Sequence, residues 1–186
     1  GDSSTLPLRA LLGRLGHQPL SWGLGTNLGP TADTVSGLVR RLHEAAEQAG
    51  EPVSLVGWSL GGIYARALAQ WRPELVDQVI TLGSPFNIGH REPTSLDPMW
   101  AVLGRWQRFV GHRGELELDE VPCPSTALFS RTDGVVSWES CRQTERPTAE
   151  NIEVRGSHCG LGVNVAVAYA VADRLARPSH EWRSFQ

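Results

Sequence analysis

Between Pro52 and Leu68 the chain reads PVSLVGWSLGGIYARAL, a short apolar run that passes into good helix formers through one serine set among glycines. Val53, Leu55 and Val56 suit a strand, and Ile63, Tyr64, Ala65, Ala67 and Leu68 suit a helix. The joint, Gly57-Trp58-Ser59-Leu60-Gly61, is a G-x-S-x-G motif followed by Gly62. Between a strand and a helix, this motif holds its serine in a strained backbone conformation with the hydroxyl exposed at the head of a sheet. Side chains at Gly57 and Gly61 are expected to collide with the neighbouring strand and helix. The helix then points its N-terminus, with free N–H groups and the positive dipole end, toward the serine. The bland alternative is a serine that merely caps the helix. What separates the two readings is whether the chain supplies a base and an acid.

Strands and helices alternate around this turn. Leu6, Leu8, Leu11, Leu12 and Leu15 recur at helical spacing, with Pro7 in the first turn and Gly16 as the stop. The stretch from Gln18 to Leu24, containing Trp22, predicts a short strand that runs into a glycine-rich loop ending at Pro30. No Lys-Ser or Lys-Thr follows that loop, which disfavours phosphate cradling. Thr31 or Asp33 caps a second helix with the apolar stripe Val35, Leu38, Val39, Leu42, Ala45, Ala46 and Ala49, closed by Gly50. Leu75 to Leu82 predicts a buried strand stopped by Gly83-Ser84-Pro85, and Ser125 to Ser130 and Ile152 to Val154 predict two more. A last helix carries Val163, Val165, Val167, Val171 and Leu175. This rhythm predicts an α/β fold with a mostly parallel sheet and helices on both faces. It breaks between Phe86 and Pro124, where an insertion contains one amphipathic helix with Met99, Val102, Leu103, Trp106, Phe109 and Val110 on a face. A connection that long inside a compact domain is expected to be functional or disordered, and its aromatic face is either ordinary packing or a substrate wall; a lid packed over the site satisfies both readings of the face.

A nucleophilic serine needs a base to take its proton, and the base needs an anion to fix its tautomer. Both belong just past the C-terminal ends of strands, where ligands gather in open parallel sheets. Asp133 follows the strand ending at Ser130, and His158 follows the strand ending near Val154 in the glycine-rich Gly156-Ser157-His158-Cys159-Gly160. His17, His43, His90, His112 and His180 fall at strand starts, on a helix or in other loops. Asp77, Asp119 and Glu120 fall at the wrong end of the sheet. His90, Asp97 and His112 have no metal-ligand spacing, so neither a metal nor a cofactor is called for.

Length and charge bound the rest. A chain of 186 residues that is 40% hydrophobic has the core of one domain, and a net charge of -3 gives no electrostatic case for nucleic acid. No apolar run reaches the about 18 to 20 residues that span a bilayer. Cys123 lies between prolines. Cys141 and Cys159 are either buried thiols or a disulfide, which would place the chain in an oxidising, secretory compartment; the default is cytoplasmic.

GWSLGG, the strand with TDGVV and the GSHCGLG stretch resemble the α/β-hydrolase superfamily, in particular its bacterial esterase and lipase-like members, from about Leu6 to the C-terminus. The resemblance implies a single α/β-hydrolase domain over residues 1–186 with a lid insertion at about 86–121. It implies cleavage of a small-molecule ester or lipid-like substrate, with Ser59 as nucleophile, His158 as base then acid and Asp133 as its orienter. The Leu60 N–H is one oxyanion donor, and Trp58, Phe86 and Trp106 are the expected substrate contacts. In the family an early strand and loop precede the first helix and supply a second oxyanion donor; here that strand is missing ahead of Leu6, as in an N-terminally truncated chain. An acyltransferase with the same triad and a non-catalytic binding protein on a hydrolase scaffold are the alternatives.

Overall fold

The computed structural model describes residues 2–27, 29–87 and 118–185. Most of the expected insertion, with its amphipathic helix and Trp106, lies outside the described residues. Four strands form one sheet: β1 (Val53–Trp58), β2 (Val76–Leu82), β3 (Ser125–Phe129) and β4 (Ala149–Glu153). They lie side by side in chain order, and every neighbouring pair is parallel. The register sets Trp58 opposite Leu82 and Leu82 opposite Leu128. Phe129 stands opposite Glu153, so the four C-terminal strand ends finish nearly level.

Helices cover both faces. They are α1 (Leu6–Arg14), α2 (Ala32–Ala49), α3 (Leu60–Trp71) and α4 (Val165–Leu175). Alternate residues of β2 enter opposite cores, as the two-residue period of a strand requires. Ile80 and Leu82 join Leu8 and Leu12 of α1 and Val167 and Val171 of α4. Val79 joins Leu42 of α2 and Leu68 of α3 on the other side. From Gln78 to Leu82 the strand is buried on both faces, with Ile80 and Leu82 on one parity and Val79 on the other, and the polar Gln78 and Thr81 are buried with them.

The helix ends follow local chemistry. Thr31 is the cap of α2: its Oγ1 accepts the Thr34 N–H at 3.1 Å, and Asp33 lies inside the first turn. Gly50 ends that helix with φ 74°. In α1 only Leu8 and Leu12 are buried, while Leu6, Leu11 and Leu15 face outward. The helix after β4 begins at Val165, not Val163, because the Asn164 Oδ1 accepts the Ala166 and Val167 N–H groups as its cap.

One expectation changes and one open alternative closes. No strand forms over residues 18–24. Gly23 and Gly25 adopt φ of 70° and 75°, which a β ladder does not accommodate. The Trp22 backbone N–H is instead taken by Asp2 Oδ1, and its indole N–H by the Gly25 carbonyl. The Cys141–Cys159 disulfide is not formed: all three cysteines are free, with Cys141 packed against Phe129 and Val136 and Cys159 at the surface. Among the described residues no strand precedes β1, so β1 is an edge of the described sheet. A cavity of about 870 Å³ runs along it, walled by β1, by Leu8 and Leu12, and by Leu38, Leu42 and Leu68.

Candidate active site

The turn from β1 into α3 places Ser59 at φ 55° and ψ -125°, and Ser59 is the one non-glycine residue with positive φ among the described residues. Such a conformation costs about 1–3 kcal/mol and survives only where its surroundings hold it. Here the Ser59 N–H donates to the Leu82 carbonyl at 2.9 Å, and the Ser59 carbonyl accepts from the Gly62 N–H at 3.0 Å. The glycines that make room are Gly57 and Gly62. A Cβ on Gly57 would lie 2.4 Å from the Gly62 Cα, and one on Gly62 would lie 2.1 Å from the Ser84 Oγ. Gly61, expected to be crowded, has nothing within 4 Å of its Cβ position. The collision is between the end of the strand and the second residue past Leu60, one position later than the motif suggests.

Ser59 makes no side-chain cap to α3, which removes the capping reading. Its Oγ instead lies 3.0 Å from the His158 Nε2, and the His158 Nδ1 lies 2.8 Å from the Asp133 Oδ2. These contacts join residues 99 and 25 positions apart in the chain.

Asp133 sits in the turn after β3, and its Oδ1 accepts the Val135 and Val136 N–H groups at 2.9 and 2.8 Å. The second oxygen is thereby left for the imidazole. The backbones of the pair are also joined: the His158 N–H donates to the Asp133 carbonyl at 2.9 Å. His158 opens a 3₁₀ turn, His158–Val163, that Ser157 caps by accepting the Gly160 N–H. The Trp58 ring lies 6.4 Å from the imidazole, and a Cβ on Gly162 would press within 2.8 Å of that indole. Asp133 is 4% exposed and His158 7%. A carboxylate can only accept, so the Nδ1 carries the proton and the Nε2 is free to accept from Ser59.

A family model described as the alpha/beta hydrolase family matches residues 6–185. The chain belongs to that family. Among solved structures it is similar to lipase B of Aspergillus fumigatus, with 15% identity, a TM-score of 0.69, and coverage of 96% of this chain and 50% of that one. It therefore spans about half the length of that lipase. A pyrethroid hydrolase from Sphingobium faniae JZ-2 is similar at 17% identity and a TM-score of 0.62, covering 96% and 94% of the two chains. The NocB thioesterase domain, solved as a covalent complex with a fluorophosphonate nocardicin G analog, has 21% identity and a TM-score of 0.52 over 92% and 89%. Comparison with curated protein sequences returned no significant match.

The remaining sequence-predicted residues fall differently. Leu60 is the first residue of α3, where a helix leaves its N–H groups free of internal partners. Trp58 is half-buried and packs beside His158. Phe86 is 2% exposed, in a core cluster with Ile63 and Tyr64, its ring 3.8 Å beneath the Arg66 guanidinium. Trp106 lies outside the described residues. Of the rejected acids, Asp77 accepts from Ser54 and Asp119 from Thr144, both away from the imidazole. No group of three His, Cys, Asp or Glu among the described residues could hold a metal ion.

Sequence reasoning missed Arg66. It is fully buried in α3, and it donates from Nε to the Leu118 carbonyl and from Nη2 to the Asp119 carbonyl and the Gln143 Oε1. Burial pushes its guanidinium down to about 9, against the pull of Asp119. An arginine on a helix face reads as solvated, and no local signal marks it as internal.

Proposed function

We propose that this chain is a serine hydrolase that cleaves carboxylic esters through an acyl-enzyme. The supporting observation is the continuous contact Ser59 Oγ to His158 Nε2 to Asp133 Oδ2 at 3.0 and 2.8 Å, on a serine held in a strained turn. Ser59 Oγ attacks the acyl carbon as its proton passes to the His158 Nε2. Charge gathers on the former carbonyl oxygen, which faces the Leu60 N–H at the positive end of α3. The imidazolium, steadied by Asp133, gives that proton to the departing alkoxide as the C–O bond breaks. Water then attacks the acyl-serine, losing its proton to His158, which returns it to the Ser59 Oγ as the bond from that oxygen to the acyl carbon breaks and the acid leaves. A small-molecule ester or lipid-like substrate is supported by the similar folds of a lipase and a pyrethroid hydrolase.

The test is labelling by a fluorophosphonate probe, which phosphonylates an activated serine. The native chain is expected to take one label, and Ser59→Ala none. Labelling that persists in Ser59→Ala overturns the assignment, and hydrolysis of a nitrophenyl ester panel then defines the acyl preference.

A further inference from the structure

The three triad candidates come from strand ends that are not all neighbours. Ser59 follows β1, Asp133 follows β3 and His158 follows β4. Adjacent strands lie about 4.8 Å apart, so β1 and β4 are separated by about 14 Å, yet the Ser59 Oγ and His158 Nε2 are 3.0 Å apart. The segments after β3 and β4 must therefore fold back across the end of β2. Whatever stands at that end lies beneath the triad.

What stands there is Leu82-Gly83-Ser84, and each residue touches a different part of the site. The Leu82 carbonyl accepts the Ser59 N–H. Ser84 is completely buried, with its Oγ 3.4 Å from the Gly57 carbonyl and against the Gly62 position. Gly83 donates its N–H to the Leu128 carbonyl at 2.9 Å and adopts φ 51°. A Cβ on Gly83 would lie 2.7 Å from the Leu161 Cδ1, 3.1 Å from the Asp133 Oδ2 and 3.3 Å from the His158 Nδ1. Positive φ alone does not single it out, because Gly16, Gly25, Gly50 and Gly134 share it and have open space at the Cβ position.

We propose that Gly83 is a positioning residue: the missing side chain at the end of β2 is the seat on which the Asp133–His158 hydrogen bond rests. This proposal rests on the triad reading above. A methyl group at Gly83 has nowhere to go. Leu161 is fully buried in the core, and the Asp133 Oδ1 is pinned by two backbone N–H groups. The yielding contact is the Oδ2 to Nδ1 hydrogen bond, and through it the aim of the Nε2 at Ser59.

Two variants separate this role from ordinary turn strain. Gly83→Ala carries the strain and the contact; Gly50→Ala, at the end of α2 with φ 74° and open space, carries the strain alone. For Gly83→Ala, kcat on a nitrophenyl ester is expected to fall by about 10- to 10²-fold, the scale of a small misplacement of a catalytic group, with KM nearly unchanged. The low-field proton resonance of the His158 Nδ1–H is expected to move upfield in the same variant. Gly50→Ala should leave kcat and the resonance as in the native chain. Gly83→Ala with native kcat and an unmoved resonance overturns the proposal. If Gly83→Ala does not fold, the native chain decides: a nuclear Overhauser effect between the His158 Nδ1–H and the Gly83 Hα protons is expected, and its absence overturns the placement. Failure of the serine-hydrolase reading is distinct, because it leaves the native chain unlabelled by fluorophosphonate while the resonance still reports on the seat.

Discussion

Replacing Asp133 by asparagine changes one atom, and the surroundings dictate which way the new amide faces. The Asp133 Oδ1 accepts the N–H groups of Val135 and Val136, and the Oδ2 accepts from the His158 Nδ1. In Asp133→Asn the amide oxygen must keep the first place. Turning it toward the histidine would set an NH₂ against two buried N–H donors and leave both unpaired, at about 1–3 kcal/mol each, or about 2–6 kcal/mol in total. Since every 1.4 kcal/mol is tenfold, the turned amide is populated to about 3% at most. In the dominant orientation the NH₂ points at the His158 Nδ1, which must then accept, so the proton moves to the Nε2 and the imidazole cannot receive one from Ser59. A loss of about 10³- to 10⁴-fold in kcat follows, as expected for the wrong tautomer. Stability should change by less than about 1 kcal/mol, because both backbone bonds to the side chain survive. Asp133→Ala should lose activity and also lose stability, by about 2–6 kcal/mol, since it orphans the Val135 and Val136 donors. Rates on a nitrophenyl ester and urea unfolding of both variants provide the comparison. If Asp133→Asn keeps a tenth or more of the native kcat, the Asp133 carboxylate does not set the tautomer and the acid lies elsewhere.

The motif glycines should behave unequally. Gly57→Ala drives a methyl group into backbone at 2.4 to 2.5 Å and is expected to lose about 3 kcal/mol or more, read as a fall in urea midpoint. Gly61→Ala meets nothing and should stay within about 1 kcal/mol of the native chain, so equal losses at the two positions would contradict the geometry. Thiol reactivity should follow burial. Cys141, pushed up to about 12, and Cys123, pushed up to about 11, hold about 10⁻⁴ and 10⁻³ of their thiol as thiolate at pH 8, so an aromatic disulfide reagent should titrate exposed Cys159 in the native chain and the other two only on unfolding. A native chain in which Cys159 resists the reagent would place that thiol differently.

What was legible in the sequence was what local chemistry had to write there. Thr31 and Gly50 mark the ends of α2 because a cap hydroxyl and a left-handed terminal residue are needed within a few positions of the helix itself. The order of Ser59, Asp133 and His158 was readable because each follows an apolar strand at the same end of a parallel sheet. The misses have tertiary causes. Gln18 to Leu24 has strand-like composition but no sheet neighbour, and its polar groups are met by Asp2 and Gly25. Phe86 stands just past a strand end, where a substrate contact is expected, yet a buried arginine from α3 covers its ring. Cys141 and Cys159 carry no sign in the sequence of which one the core takes.

The two glycines beside the proposed triad show where that boundary runs. Gly57 is recoverable from the motif because the group that excludes a side chain, the Gly62 backbone, is five residues away on the same turn. The strain at Ser59 is a local problem, and its solution is spelled in adjacent letters. Gly83 answers a different problem, the about 14 Å between β1 and β4 that the loops carrying Asp133 and His158 must cross. The groups that exclude a side chain there lie 50 and more positions later, and the sequence around it, Gly83-Ser84-Pro85, reads as an ordinary strand stop. In the proposed triad the end of β2 lies between the strand ends that carry Ser59 and the Asp133–His158 pair, and Gly83 puts no side chain there. That placement comes from topology, so only the assembled sheet reveals which glycine occupies it.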